Sequence, residues 1–176
     1  MKIPRRVWWL VAAGVVVVAS VAVTAPATVG VLRARGTTLH TPDSAAGLTR
    51  EQSSEVALTL AATIQSDVGL PHTVGAAYSG SSRVLVAGGT GSVWRPSRTL
   101  DQVLAVVDPD LSQVREVEPG RHGGVAKCGR SSVDGGELVV CGWADHGCAA
   151  VVMVEGGDLD YASRTLRELR AAMQKR

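Results

Sequence analysis

Phenylalanine is absent from the 176 residues, and four Trp and two Tyr are the only aromatic side chains. A core must therefore be filled by Val, Leu and Ala. These bring less apolar area per residue, and each CH₂ left exposed forfeits roughly 0.8 kcal/mol. A covalent cross-link would help such a domain. Lysine is scarce as well: Lys2, Lys127 and Lys175 stand against fifteen Arg. Acidic residues are missing from the first 32 positions, where Lys2, Arg5 and Arg6 account for the small net charge of +2. The remainder holds 15 basic and 16 acidic residues and is close to neutral. No Arg or Lys cluster is interleaved with aromatics, so a nucleic-acid-binding surface is excluded. No CxxC pair occurs, which removes the recurrent structural zinc motifs.

Charge is also missing from Val7 to Ala25, VWWLVAAGVVVVASVAVTA. As a helix, these nineteen residues would cover about 28 Å, close to the hydrocarbon thickness of a bilayer. Trp8 and Trp9 stand at its inner end, where indole rings favour the headgroup layer, and the basic tip precedes them. Basic residues resist translocation, so the N-terminus is expected in the cytoplasm and the rest of the chain outside. The expected organisation is a cytoplasmic basic tip (1–6), a transmembrane anchor (7–27), a linker (33–48) and an extracytoplasmic domain (49–176). The alternative is a secreted protein cleaved near Ala27, because Ala25-Pro26-Ala27 has the small-x-small form of a signal-peptidase site. Its apolar run is longer than an ordinary signal h-region, which favours the anchor.

Within the exported part, RARGTTLHTPDSAAGL (33–48) lacks apolar periodicity and reads as a linker. Thr49-Arg50-Glu51-Gln52 matches a capping box, and Ala57, Leu60, Ala61 and Ile64 follow at helical spacing, predicting a helix over about 50–66. Strands are predicted at 73–78 and 83–87. Gly88-Gly89-Thr90-Gly91-Ser92 lacks the spacing of a phosphate loop and is expected to be a flexible turn, with Pro96 preventing a helix from opening on it. Ser97 is placed to cap a short helix carrying Leu100, Val103, Leu104 and Val107 on one face. Strands follow at 113–118, 123–128, 137–144 and 148–154. In the closing helix, capped by Asp158, Leu159, Ala162, Leu166, Leu169 and Met173 form an apolar stripe, with Arg164, Arg167, Glu168 and Arg170 expected in solvent. This order predicts an α+β domain, mostly antiparallel, with helices packed on one face of the sheet.

The cysteines give the sharpest expectation. Asp134-Gly135 is a strong two-residue hairpin signal, because both positions tolerate positive φ. With that turn, Val133 faces Gly136 and, counting outward, Cys128 faces Cys141 in a non-hydrogen-bonded pair. Cα atoms there approach to about 4.5 Å, within reach of a disulfide, which can persist outside the cytoplasm. Cys148 is left over, beside Asp145 and His146. Three other arrangements compete: a zinc site of Cys128, Cys141, His146 and Cys148, a reactive Cys148, and a catalytic trio of Cys148, His146 and Asp145. The blander reading makes Cys148 a small apolar strand residue and Asp145 a shaper of the turn.

Gly123-Gly124-Val125-Ala126-Lys127-Cys128-Gly129 and Val140-Cys141-Gly142-Trp143-Ala144-Asp145-His146-Gly147, followed by a strand and an amphipathic helix, resemble an uncharacterised family. Its members are actinobacterial membrane proteins with one N-terminal helix and an exported C-terminal domain. The resemblance covers roughly residues 70–176 and implies location and fold, without an activity. Relatives often have Ser after Asp-His-Gly where this chain has Cys148, which implies that the thiol is not essential to a shared function. The expectation is therefore a non-enzymatic, anchored envelope domain without a cofactor. Its partners would be the lipid bilayer and an envelope protein or small ligand, with Trp143, Asp145, His146 and Cys148 as candidate functional surface. The alternative is a redox- or metal-responsive sensor using Cys148 and His146.

Overall fold

A computed structural model describes residues 28–32, 34, 36–133 and 136–176. The predicted anchor and the Asp134-Gly135 turn lie outside those residues. Among the described residues no helix is long and apolar enough to cross a membrane. The described chain is an α+β unit built on one antiparallel sheet of eight strands, in the spatial order Ser44–Ala45, Leu48–Arg50, His72–Ser79, Val84–Thr90, Cys148–Glu155, Gly136–Ala144, Val125–Val133, Ser112–Glu116.

Helix α1 (Glu55–Val68) begins at Ser54, whose hydroxyl accepts from the Ala57 amide, and ends at Gly69 in the left-handed conformation. It starts later than the sequence predicts. Thr49 and Arg50 belong instead to strand β3 (Leu48–Arg50), paired with β4 (His72–Ser79). The expected capping box therefore does not form: pairing with Tyr78 and Ser79 draws that segment into the sheet. The expected linker is also partly sheet, since β1 (Thr38–Leu39) and β2 (Ser44–Ala45) lie within it and Ala45 and Leu48 are buried.

Strand β5 (Val84–Thr90) takes in Gly88, Gly89 and Thr90, so this glycine-rich stretch is ladder rather than flexible turn. Helix α2 (Pro96–Val107) begins on Pro96 itself, with Arg95 at the N-cap and no side-chain cap. Proline suits this position because its missing N–H would have had no helical partner. Strand β6 (Ser112–Glu116) is an exposed edge. Strands β7 (Val125–Val133), β8 (Gly136–Ala144) and β9 (Cys148–Glu155) form a meander beside it. Helix α3 (Leu159–Met173) is capped by the Asp158 carboxylate accepting from the Tyr161 amide, and β10 (Gln174–Lys175) then pairs with β1.

The helices occupy both faces of the sheet, unlike the single covered face expected from element order. Along β9, Cys148, Ala150, Val152 and Val154 pack with Ala162, Leu166, Leu169 and Met173 of α3. The alternate residues Ala149 and Val151 pack with Ile64 of α1 and with Leu100, Val103 and Leu104 of α2. Successive side chains of a strand point to opposite faces, and β9 is apolar at nearly every position, as a strand covered on both sides must be. The layers are therefore helix, sheet, helix.

Register in the β7–β8 hairpin is as the turn chemistry predicts. Val133 pairs with Gly136 and Cys128 with Cys141, and the two cysteines form a disulfide with Cα atoms 4.0 Å apart. Both lie fully buried beneath α3.

Candidate functional site

Strand β8 delivers Trp143 and Ala144 to one end of the sheet, and Asp145-His146-Gly147 turns the chain back into β9 at Cys148. The turn is closed by the Asp145 amide donating to the Cys148 carbonyl at 2.9 Å. The Asp145 carboxylate then caps it from within. Oδ1 accepts the Gly147 amide at 2.7 Å, the Cys148 amide at 3.2 Å and, weakly, the Cys148 thiol at 3.7 Å.

The second oxygen of Asp145 reaches across to α3 and β10. Oδ2 accepts Arg170 Nη2 at 3.0 Å, Gln174 Nε2 at 2.6 Å and Arg176 Nη2 at 3.0 Å. Arg170 also donates from Nε to Gln174 Oε1 and from Nη1 to the Pro119 carbonyl, while its Cζ sits 5.9 Å from the Trp143 ring centroid. One carboxylate thus joins the β8–β9 turn to the end of α3, and Arg170 extends the link to the loop before β7. Burial alone would push the Asp145 carboxyl up. The Gln174, Gly147 and Arg176 hydrogen bonds and the Arg170 charge outweigh it and hold the group below the usual carboxylate range. Burial lowers the Arg170 guanidinium somewhat, against the opposing pull of Asp145.

Of the residues expected to form a functional surface, Trp143 and Cys148 are fully buried and Asp145 nearly so; only His146 keeps partial exposure. Cys148 is the free thiol, and burial, then the Asp145 charge, pushes it up to about 12. It is fully protonated at neutral pH and a poor nucleophile. Cys128 and Cys141 are bonded to each other, so the four-ligand zinc set is not assembled. Among the described residues no group of three or more His, Cys, Asp or Glu is placed to hold a metal ion. The trio of Cys148, His146 and Asp145 does not form either, because His146 turns away. Its Nδ1 lies 2.9 Å from the Val93 carbonyl, which can only accept. Nδ1 is therefore the donor of that bond.

The Nε2 edge of the ring packs against Gly30, in the short helical stretch 28–32 that opens the described chain. A Cβ at Gly30 would run into the His146 ring, so only glycine permits this approach. Gly147 has the same role one turn further on, where a Cβ would strike the Thr37 side chain and the Ala34 carbonyl. Val31, Ala34 and Thr37 are buried accordingly. The segment that leaves the predicted anchor is thus seated on the Asp145-His146-Gly147 turn.

Between this segment and the domain lies a cleft of about 490 Å³, lined by Gly30, Ser97, His122, Asp145, His146 and Arg176 among others. Its polar lining residues are Ser97, His122, Asp145, His146 and Arg176. Ser97 stands in the first turn of α2, where no acidic residue and no side-chain cap offset the positive end of the helix dipole. Arg176 donates to the His122 carbonyl and to Asp145. Burial lowers the His122 pKa, helped by the nearby charges of Arg170, Arg121 and Arg176, which favours the neutral imidazole. Asp145, also on this wall, has both oxygens occupied.

Sequence reasoning missed Arg170, Gln174, Arg176 and His122. Arg170 was expected in solvent but is 1 % exposed. The signal was present: Arg170 follows Leu166 by four residues and therefore falls on the buried face of α3, with Gln174 four further on. No protein family, curated protein or solved structure matches the chain.

Proposed function

We propose that the chain is a single-pass membrane protein, N-terminus in the cytoplasm, whose exported α+β domain works by binding rather than by catalysis. Its site is the cleft between residues 28–37 and the β8–β9 turn, and its ligand is an envelope protein or a small polar molecule rich in hydrogen-bond acceptors. The observation that carries this reading is the chemistry of the wall. Arg176, Ser97 and the uncapped first turn of α2 line a cavity in which the acidic side chain among the described lining residues, Asp145, already has both oxygens occupied. Location is supported by the uncharged run 7–25 behind a basic tip. The buried disulfide agrees with an oxidising compartment. The likeness of the segment around Cys141-Gly142-Trp143-Ala144-Asp145-His146 to exported domains of actinobacterial membrane proteins points the same way.

Two measurements test it. A reporter active only outside the cytoplasm, fused after Arg176, is expected to be active; cytosolic activity removes the topology. The full chain, incubated with membrane and wall extracts, is expected to retain a ligand that the His146→Ala chain does not. Equal retention by both, or by neither, removes the cleft as the site.

A further inference from the structure

Three large apolar side chains stay exposed on the two segments whose neighbouring residues line the cleft: Trp94 at 55 %, Leu32 at 54 % and Val29 at 44 %. Their placement follows from backbone neighbours. Val29 and Leu32 flank Gly30, which packs on His146. Trp94 follows Val93, whose amide and carbonyl both bond His146, and precedes Pro96 and Ser97 on the cleft wall. Arg95 and Arg98 are exposed beside Trp94, and neither forms an ion pair among the described residues. Apolar side chains, an indole and guanidinium groups without an ion pair among the described residues thus lie on the two segments that border the cleft.

We propose that these two segments form the face on which the domain lies against the lipid bilayer. Trp94, Val29 and Leu32 enter the headgroup layer, while Arg95 and Arg98 meet lipid phosphates. The inference rests on residues 7–27 being the anchor, and the length of the connection then names the occupant. Five peptide steps separate Ala25 from Gly30, a reach of at most about 18 Å even when fully extended. The headgroup layer is itself roughly 5–8 Å deep on each side of the hydrocarbon. Gly30 is seated on the turn that forms the cleft, so this face is held within reach of headgroups as long as the segment stays docked. Indole rings partition to that layer because one edge is polar and the body apolar. Arginines without an acidic partner are drawn to an anionic surface. A second exposed apolar pair, Val56 and Leu58 on α1, has no such tether.

The test uses the full chain carrying Trp8→Phe and Trp9→Phe, reconstituted in vesicles of phosphatidylcholine and phosphatidylglycerol. The remaining indoles are Trp94 and the fully buried Trp143. Lipids brominated near the headgroup end of the acyl chain are expected to quench the Trp94 share of the emission and leave that of buried Trp143. The further substitution Trp94→Phe is expected to abolish that quenching, and Arg95→Gln with Arg98→Gln to reduce it. If the chain floats with the vesicles but bromination leaves its emission unchanged, the docking face is wrong and the anchor stands. If the chain does not float, both readings fall together.

Discussion

Arg170 and Asp145 form an ion pair almost wholly withdrawn from solvent. Their side chains are 1 % and 4 % exposed, with Nη2 and Oδ2 3.0 Å apart. Arg176 approaches the same oxygen from the solvent side, its own side chain 44 % exposed. The pair sits where the β8–β9 turn, α3 and β10 converge, and its Asp145 lines the cleft. Removing one partner leaves the other buried and unpaired. Arg170→Ala or Asp145→Ala is therefore expected to destabilise the domain by about 3–5 kcal/mol, measured by denaturant unfolding. Arg176→Ala, at the exposed end of the network, is expected to cost clearly less. Equal losses from Arg176 and Arg170 would contradict the burial argument.

The acid limb of stability should trace to the same carboxylate. The native Asp145 pKa is depressed, so its contribution is complete well above the unfolded carboxyl value of about 3.9. It is lost as pH falls from there through the native value, because the unfolded chain then binds the proton more readily. His122, lowered below its ordinary value chiefly by burial, adds a loss of the same sign that begins higher, near the ordinary imidazole pKa. Unfolding curves from pH 7 to pH 3 are expected to show a two-stage decline, with His122→Gln removing the earlier stage. An unchanged profile in that variant would refute the assignment.

Thiol titration distinguishes burial from reactivity. The native chain is expected to show no reactive thiol, since Cys148 is wholly buried and shifted to about 12. Denaturant alone should expose one, and denaturant with reductant all three. Rapid modification of the folded chain would restore the reactive-cysteine reading.

Loss of the disulfide has a magnitude set by its short loop. Cys128 and Cys141 are 13 residues apart, and opening such a loop should cost roughly 3 kcal/mol in the chain-entropy picture. The double substitution to Ala, followed by denaturant unfolding, checks this. A destabilisation near zero would mean that the hairpin register alone holds β7 to β8.

Docking of residues 28–37 depends on two glycines. Gly147→Ala would press a methyl into Thr37 and the Ala34 carbonyl, and Gly30→Val would press on a His146 ring pinned by Val93. Both are expected to raise amide hydrogen exchange across 34–40 while leaving β5, β8 and β9 protected. Uniform exchange change over the sheet would point instead to global destabilisation.

Local signals in the sequence determined a good part of this protein. The Asp134-Gly135 hairpin signal set the β7–β8 register and with it the Cys128–Cys141 pairing, because a two-residue turn leaves no freedom in which residues oppose each other. The stripe and cap of α3 were equally local, since helical periodicity depends only on near neighbours. Other outcomes needed the fold. Thr49 and Arg50 could cap a helix or pair with Tyr78 and Ser79, and pairing prevailed because β4 offered a ladder that no neighbour in sequence reveals. Helices cover both faces because β9 is apolar on both, a fact that element order does not carry.

The candidate site divides in the same way. Asp145 as the shaper of its turn was legible, because its oxygen reaches amides two and three residues on. Its partners Arg170, Gln174 and Arg176 lie 25 to 31 positions away, and the wall formed by Gly30 is more distant still. Only packing α3 and residues 28–37 against the end of the sheet brings them together. A buried charge finds its counter-ion through three-dimensional proximity, and spacing along the chain does not record it.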